Sequence, residues 1–216
     1  TQSSSTATAA TSIASAITPT SEQVSGRIDP AVPGTVVYLF APDPAATTLV
    51  DQAATLRQVA FTDDAGRFRF AVLPAPHLEV VASAPGHALV RSVAESEARV
   101  RLEPEGRIEA SLDVGGEPAE DAMAIVRDPR GRFLPLTATE LATGPDGRLS
   151  IGKLPAGDYD VFVSAADGQR FDRRTVSVGE AEQVEIAFDL RIDNDLKLAF
   201  LAAVGLPARA PPIEPP

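Results

Sequence analysis

The chain of 216 residues has no cysteine and no tryptophan, and its only histidines are His77 and His87. Disulfides and thiolate metal sites are therefore excluded. The two histidines lie on either side of one expected strand, in loops where a solvated imidazole is the ordinary state. No His-Glu-x-x-His or His-x-x-Glu pattern is present to hold zinc, and no Gly-x-Ser-x-Gly elbow is present to raise a nucleophile. No apolar run reaches the roughly 18 residues that span a bilayer. Basic residues are also scarce, 19 against 30 acidic, for a net charge of −11. That balance disfavours nucleic acid, whose phosphates require a basic face, and disfavours charge-driven docking on anionic lipid.

What is present is a repeated motif. Thr62-Asp63-Asp64-Ala65-Gly66-Arg67-Phe68-Arg69-Phe70 continues to Leu73-Pro74, Leu78 and Val80, and it overlays on Thr143, Gly147, Leu149, Ile151, Leu154-Pro155, Tyr159 and Val161. Each matched pair is offset by 81 residues, as in 143 − 62 and 154 − 73. A constant offset of that size indicates two tandem copies of one folding unit. The spread of 19 prolines and 15 glycines as turn punctuation favours short strands over long helices.

Apolar and polar residues alternate through most of the chain, which predicts strands with one buried face. Val24 and Ile28 share a face of the first strand. Val36, Tyr38 and Phe40 share a face of the second, with Pro33-Gly34 as the turn between them. Ala41 to Thr55 reads as a long loop. Phe68 and Phe70 enter a core while Arg67 and Arg69 face water, and Val100 and Leu102 alternate with Arg99, Arg101 and Glu103. After Pro104-Glu105-Gly106 the second unit begins with Ile108, Ala110 and Leu112. Further strands are expected over residues 122–127, 133–141, 148–152, 158–164, 170–178 and 183–190.

The expected fold is all-β: two tandem seven-stranded antiparallel β-sandwiches over 22–104 and 105–190. They follow a Ser/Thr/Ala-rich N-terminal arm (1–21) and precede a C-terminal helix with a Pro-rich tail (191–216). The N-terminal composition is that of a segment left after removal of a secretory signal, so a periplasmic or extracellular location is expected. In the C-terminal segment, Asp193-Asn194-Asp195 caps a helix ended by Gly205 and Pro207. Its body is apolar nearly all round, so Leu196, Leu198, Phe200, Leu201, Val204 and Leu206 are candidate partner-binding residues. Packing against the second unit of the same chain, insertion into another subunit or a membrane-adjacent partner, and disorder are the alternatives.

The pattern Thr-x3-Gly-x-apolar-x-apolar-x2-Leu-Pro, followed by Gly157-x-Tyr159-x-Val161, resembles the carboxypeptidase regulatory-like family of β-sandwiches, which have transthyretin-like, or prealbumin-like, architecture. The second copy carries the pattern in full. The first has Pro76 and Leu78 where the family pattern has Gly and Tyr. The resemblance implies a non-catalytic accessory, adhesive or assembly module outside the cytoplasm.

Enzymes of related architecture are tested by residue inventory. Hydroxyisourate hydrolases end in Tyr-Arg-Gly-Ser, whereas this sequence ends in Pro-Pro-Ile-Glu-Pro-Pro. Intradiol dioxygenases hold iron with two Tyr and two His. Here Tyr38 and Tyr159 fall in different repeats and no His-x-His pair exists. An isopeptide bond would have to use Lys153 or Lys197, neither on a first strand. Asp63-Asp64 and Asp193-Asn194-Asp195 lack the spaced oxygens of a calcium loop and fit a turn and a helix cap.

The sequence thus leads to a non-catalytic extracytoplasmic accessory or structural subunit. It is expected to need no cofactor or metal and to bind protein subunits of a larger assembly, with contact to a membrane-adjacent partner. The alternative is a surface adhesin or a glycan- or peptide-binding module that recognises its ligand through loops such as 41–55. A loop-lined pocket with clustered aromatics would favour that alternative.

Overall fold

The computed structural model of the chain describes residues 23–71, 77–94 and 97–207. The N-terminal arm, Leu73-Pro74, Pro76 and the Pro-rich end lie outside the described residues.

Fifteen strands are described, grouped in four sheets. In the first unit, β1 (Gln23–Asp29), β4 (Arg67–Ala71) and β7 (Glu97–Arg101) form one sheet with β1 central. Strands β2 (Val36–Phe40), β3 (Leu56–Phe61), β5 (Glu79–Ser83) and β6 (Val90–Val93) form the other, in the order β3-β2-β5-β6. In the second unit, β8 (Gly106–Val114) is central between β11 (Arg148–Leu154) and β14 (Gln183–Asp189), with β9 (Glu117–Pro118) folded back on β8. Strands β10 (Met123–Arg127), β12 (Gly157–Ser164), β13 (Arg170–Val178) and β15 (Arg191–Ile192) pair in that order.

The pairing is mixed where all-antiparallel sheets were expected. Strand β1 runs antiparallel to β4 but parallel to β7, and β8 repeats this with β11 and β14. Parallel neighbours need a long crossover, and the rest of each unit supplies it.

Alternation does what it predicts. Val24, Ile28, Phe68, Phe70, Val100 and Leu102 are buried with Val37, Leu39 and Val80, so the two sheets of the first unit enclose one core. Ile108, Leu112, Leu149, Ile151, Val161 and Phe188 do the same in the second.

The repeated motif has a single physical role in both copies. Thr62 Oγ1 donates to Val32 O (2.7 Å) and accepts from Thr35 N (3.0 Å), while Thr143 Oγ1 donates to Ala119 O (2.6 Å) and accepts from Ala122 N (2.9 Å). Each buried hydroxyl thus ties the start of its hairpin to the loop across the core. The motif glycine turns that hairpin. Gly147 has φ of 68°, and a Cβ there would lie 2.6 Å from Leu112 O, so glycine alone fits.

Three segments depart from the sequence reading. Within 41–55 the chain forms a short helix, α1 (Leu49–Ala53), capped by the Thr48 hydroxyl on Asp51 N. Residues 133–141 form no strand but a bridge at Phe133 and a 3-10 turn at Ala138–Glu140 closed by a Thr137/Glu140 capping box. Pro135 has no amide hydrogen to give a ladder there. Finally, Val36, Tyr38 and Phe40 do share a face, but the buried inner face of β2 is Val37 and Leu39. The aromatic face points outward, at the second unit.

Candidate binding cleft between the two units

The sheet β3-β2-β5-β6 is apolar on both faces. Val80 and Ala82 enter the first core, whereas Val81, with Leu89, belongs to the cluster built mainly from the second unit, against which Tyr38 and Phe40 also pack. Backbone bonds join the units as well: Leu89 N donates to Lys153 O at 2.8 Å. The units are therefore fastened side by side.

A cleft of about 330 Å³ opens along this seam, at the small end of the range for ligand sites. One wall is Tyr38 and Phe40, with ring centroids 6.3 Å apart. The second is α1 and the start of β3, through Leu49, Gln52 and Leu56. The third is the irregular segment of the second unit, through Phe133, Leu134 and Leu136.

Gln52 fixes that arrangement, because its Oε1 accepts from Phe133 N at 2.9 Å and its Nε2 donates to Ala46 O at 3.1 Å. Polar groups sit on the floor. Arg91 donates to Phe133 O at 3.1 Å, pairs with Glu79 at 3.5 Å and lies 6.0 Å from the Phe40 centroid. Arg132 shares Glu79 at 3.5 Å and pairs with Asp128 at 2.9 Å. Burial, together with the neighbouring Arg132 guanidinium, lowers the Arg91 pKa from its ordinary value, while Glu79 opposes the shift. The cleft thus combines apolar walls for an aliphatic or aromatic group with half-buried guanidinium donors for an acceptor oxygen. Of the hydroxyls at the cleft, Thr137 Oγ1 donates to Glu140 Oε2 at 2.8 Å within its capping box.

The candidate helix residues lie nearby. Helix α2 (Asn194–Val204) is capped by Asp193, whose Oδ1 accepts from Asp195 N and Leu196 N at 2.9 Å each, and ends at Gly205 with φ of 93°. The helix packs on the outer side of the β10-β12-β13-β15 sheet. Phe200 lies against Phe171, with centroids 5.5 Å apart, and Ala203, Phe200 and Val204 join Ile125, Phe133, Phe162 and Leu49 of α1. Leu196, Phe200, Leu201 and Val204 are half-buried, whereas Leu198 and Leu206 are 50% and 51% exposed.

Other residues singled out in the sequence are dispersed. His87 Nδ1 lies 2.8 Å from Pro85 O, and His77 is held at φ of 58°. Tyr159 is buried with its hydroxyl donating to Pro155 O at 2.5 Å, and Lys153 pairs with Glu140 at 2.7 Å. No group of three or more metal-ligating side chains occurs among the described residues. Arg91, Arg132, Gln52 and Phe133 were not singled out, since nothing local in the sequence brings them together.

No family model matches the chain, and no curated protein matches it. Among solved structures, the minor pilin GBS52 of Streptococcus agalactiae is 13% identical, with a TM-score of 0.35 over 80% of this chain and 97% of its own. The shaft pilin spaA of Lactobacillus rhamnosus GG is 9% identical, with a TM-score of 0.33 over 79% and 98%. BcpA, the major pilin subunit of Bacillus cereus, is 13% identical, with a TM-score of 0.34 over 74% and 60%.

Proposed function

We propose that this chain is a non-catalytic structural or adhesin-like protein, built from two tandem β-sandwiches of the carboxypeptidase regulatory-like, transthyretin-like kind, that works outside the cytoplasm. Its ligand-binding surface is the cleft between the units. The observation that carries the reading is the convergence on that cleft of Tyr38, Phe40 and Phe133 with the half-buried Arg91. Two different units supply these groups, and Gln52 holds the seam. The exposed Leu198 on α2 and Leu206 just past its C-terminal cap add a second apolar contact for a protein subunit of an assembly.

The cleft suits an extended peptide or glycan with an apolar face and one acceptor oxygen. The full chain is to be screened against arrays of oligosaccharides and extended peptides, alongside Leu56→Arg. Leu56 lines the mouth of the cleft and is 39% exposed, so the substitution places a charge in the cleft with little cost to the core. Binding by the parent, weakened about tenfold or more in the variant at unchanged thermal stability, is the expected result. Absence of any bound array member, or equal binding by both proteins, would refute the assignment.

A further inference from the structure

The outward face of the β4-β1-β7 sheet carries Arg67 and Arg69 from β4, Arg27 from β1, and Arg99 and Arg101 from β7, all exposed. The register sets Arg27 directly beside Arg67 on one side and Arg99 on the other. Neighbouring strands are about 4.8 Å apart, so three guanidinium groups stand in one row. Like charges directly opposite each other destabilise a sheet. None of the five arginines forms an ion pair among the described residues, although Arg107, Arg132, Arg170, Arg173 and Arg191 all do. Asp29, Asp63 and Glu97 line the same depression, so five arginines less three carboxylates leave a formal +2 on a chain whose net charge is −11. The exposed Phe61 borders this depression.

The fold does not require that row. The second unit has the same three-strand arrangement in β11-β8-β14, where superposing the registers places Arg148, Ser111 and Ala187 at the positions of Arg67, Arg27 and Arg99. The outward face of that sheet has the opposite character. Glu109 is beside Glu185 and Asp113 beside Asp189; Arg107 pairs closely with Glu105 and lies 3.9 Å from Glu109, Arg148 pairs with Asp146, and Asp189 with Arg191, which leaves Glu185 and Asp113 without an arginine among the described residues. Two faces of equal construction and opposite charge thus lie on the two units of one chain.

We infer that the arginine face of one copy docks on the carboxylate face of a second copy, through Arg27 and Arg99 against Glu109 and Glu185. The two faces differ, so the contact is heterologous, leaves one face of each kind free, and propagates head to tail. Charge dominates the patch and each face is small, so the contact is weak, salt-sensitive and independent of the cleft.

Sedimentation velocity of the full chain at increasing concentration tests this, between low salt, where the Debye length is about 30 Å, and 1 M salt, where it is about 3 Å. Association that grows with concentration at low salt and weakens by roughly tenfold or more at high salt is expected. Arg27→Glu with Arg99→Glu, and separately Glu109→Arg with Glu185→Arg, should each be monomeric, and an equimolar mixture of the two should associate again. If a charge-reversed chain does not fold, Arg27→Ser with Arg99→Ala carries the residues the second unit uses at those positions and should be monomeric. A parent that stays monomeric at low salt, a variant that associates like the parent, or a mixture that fails to associate would each overturn the inference. So would a parent that binds heparin through Arg27 and Arg99 without self-associating, which would make the face a polyanion site.

Discussion

Thr62 and Thr143 stand at equivalent positions with equivalent partners, and their pairing shows why the motif repeats. Each is a buried hydroxyl that both donates and accepts; an isosteric apolar residue in place of Thr143 leaves the Ala122 amide unpaired, whereas Thr35 N would keep Val32 O at 3.3 Å if Thr62 were replaced. Thr143→Val should lower stability by about 1–3 kcal/mol in urea denaturation, through the orphaned Ala122 N. Tyr159 gives a second residue-level expectation. Burial pushes its phenol pKa up, with the Asp128 charge adding to the shift. A folded-state pKa raised above the unfolded value of about 10 gives stability that is complete below that value and is lost as pH rises beyond it. The urea midpoint of the parent should therefore fall more steeply above about pH 10 than that of Tyr159→Phe. Equal slopes would remove Tyr159 as the source.

Secondary structure was legible where one face is polar. Phe68 beside Arg67 and Arg69, or Ile108 between Arg107 and Glu109, could only fold one way. Strand β2 was ambiguous because Val36, Val37, Tyr38, Leu39 and Phe40 are all apolar, and alternation cannot say which set faces its own core. The five-residue α1 has no periodic signal of its own, and its place depends on Thr48 and on the bond from Phe133 N to Gln52. Helix α2 was legible from its cap and its apolar body, but its seat was not. In the structure Phe200 faces Phe171 while Leu198 faces outward. Phe200→Ala should cost about 2–4 kcal/mol, below or within the range for a fully buried phenylalanine, and Leu198→Asp should change stability by less than about 1 kcal/mol. The reverse ranking in thermal denaturation would place the helix with its other side inward.

The joining of the units was the least legible level. Phe40, Arg91 and Phe133 are far apart in sequence, and only sheet pairing and the seam between units bring them together. The same holds for Arg27, Arg67 and Arg99. Arg67 and Arg99 were legible as water-facing arginines, but their single row with Arg27 follows from the register of three strands that are distant in the chain. The seam gives the molecule its cleft, the proposed ligand surface. Amide hydrogen exchange of the full chain, alone and saturated with its strongest array ligand, tests this most directly. Slowed exchange concentrated in residues 36–42, 49–56 and 132–137 is the predicted result; protection confined to the β4-β1-β7 face or to α2, with those three segments unchanged, would contradict it.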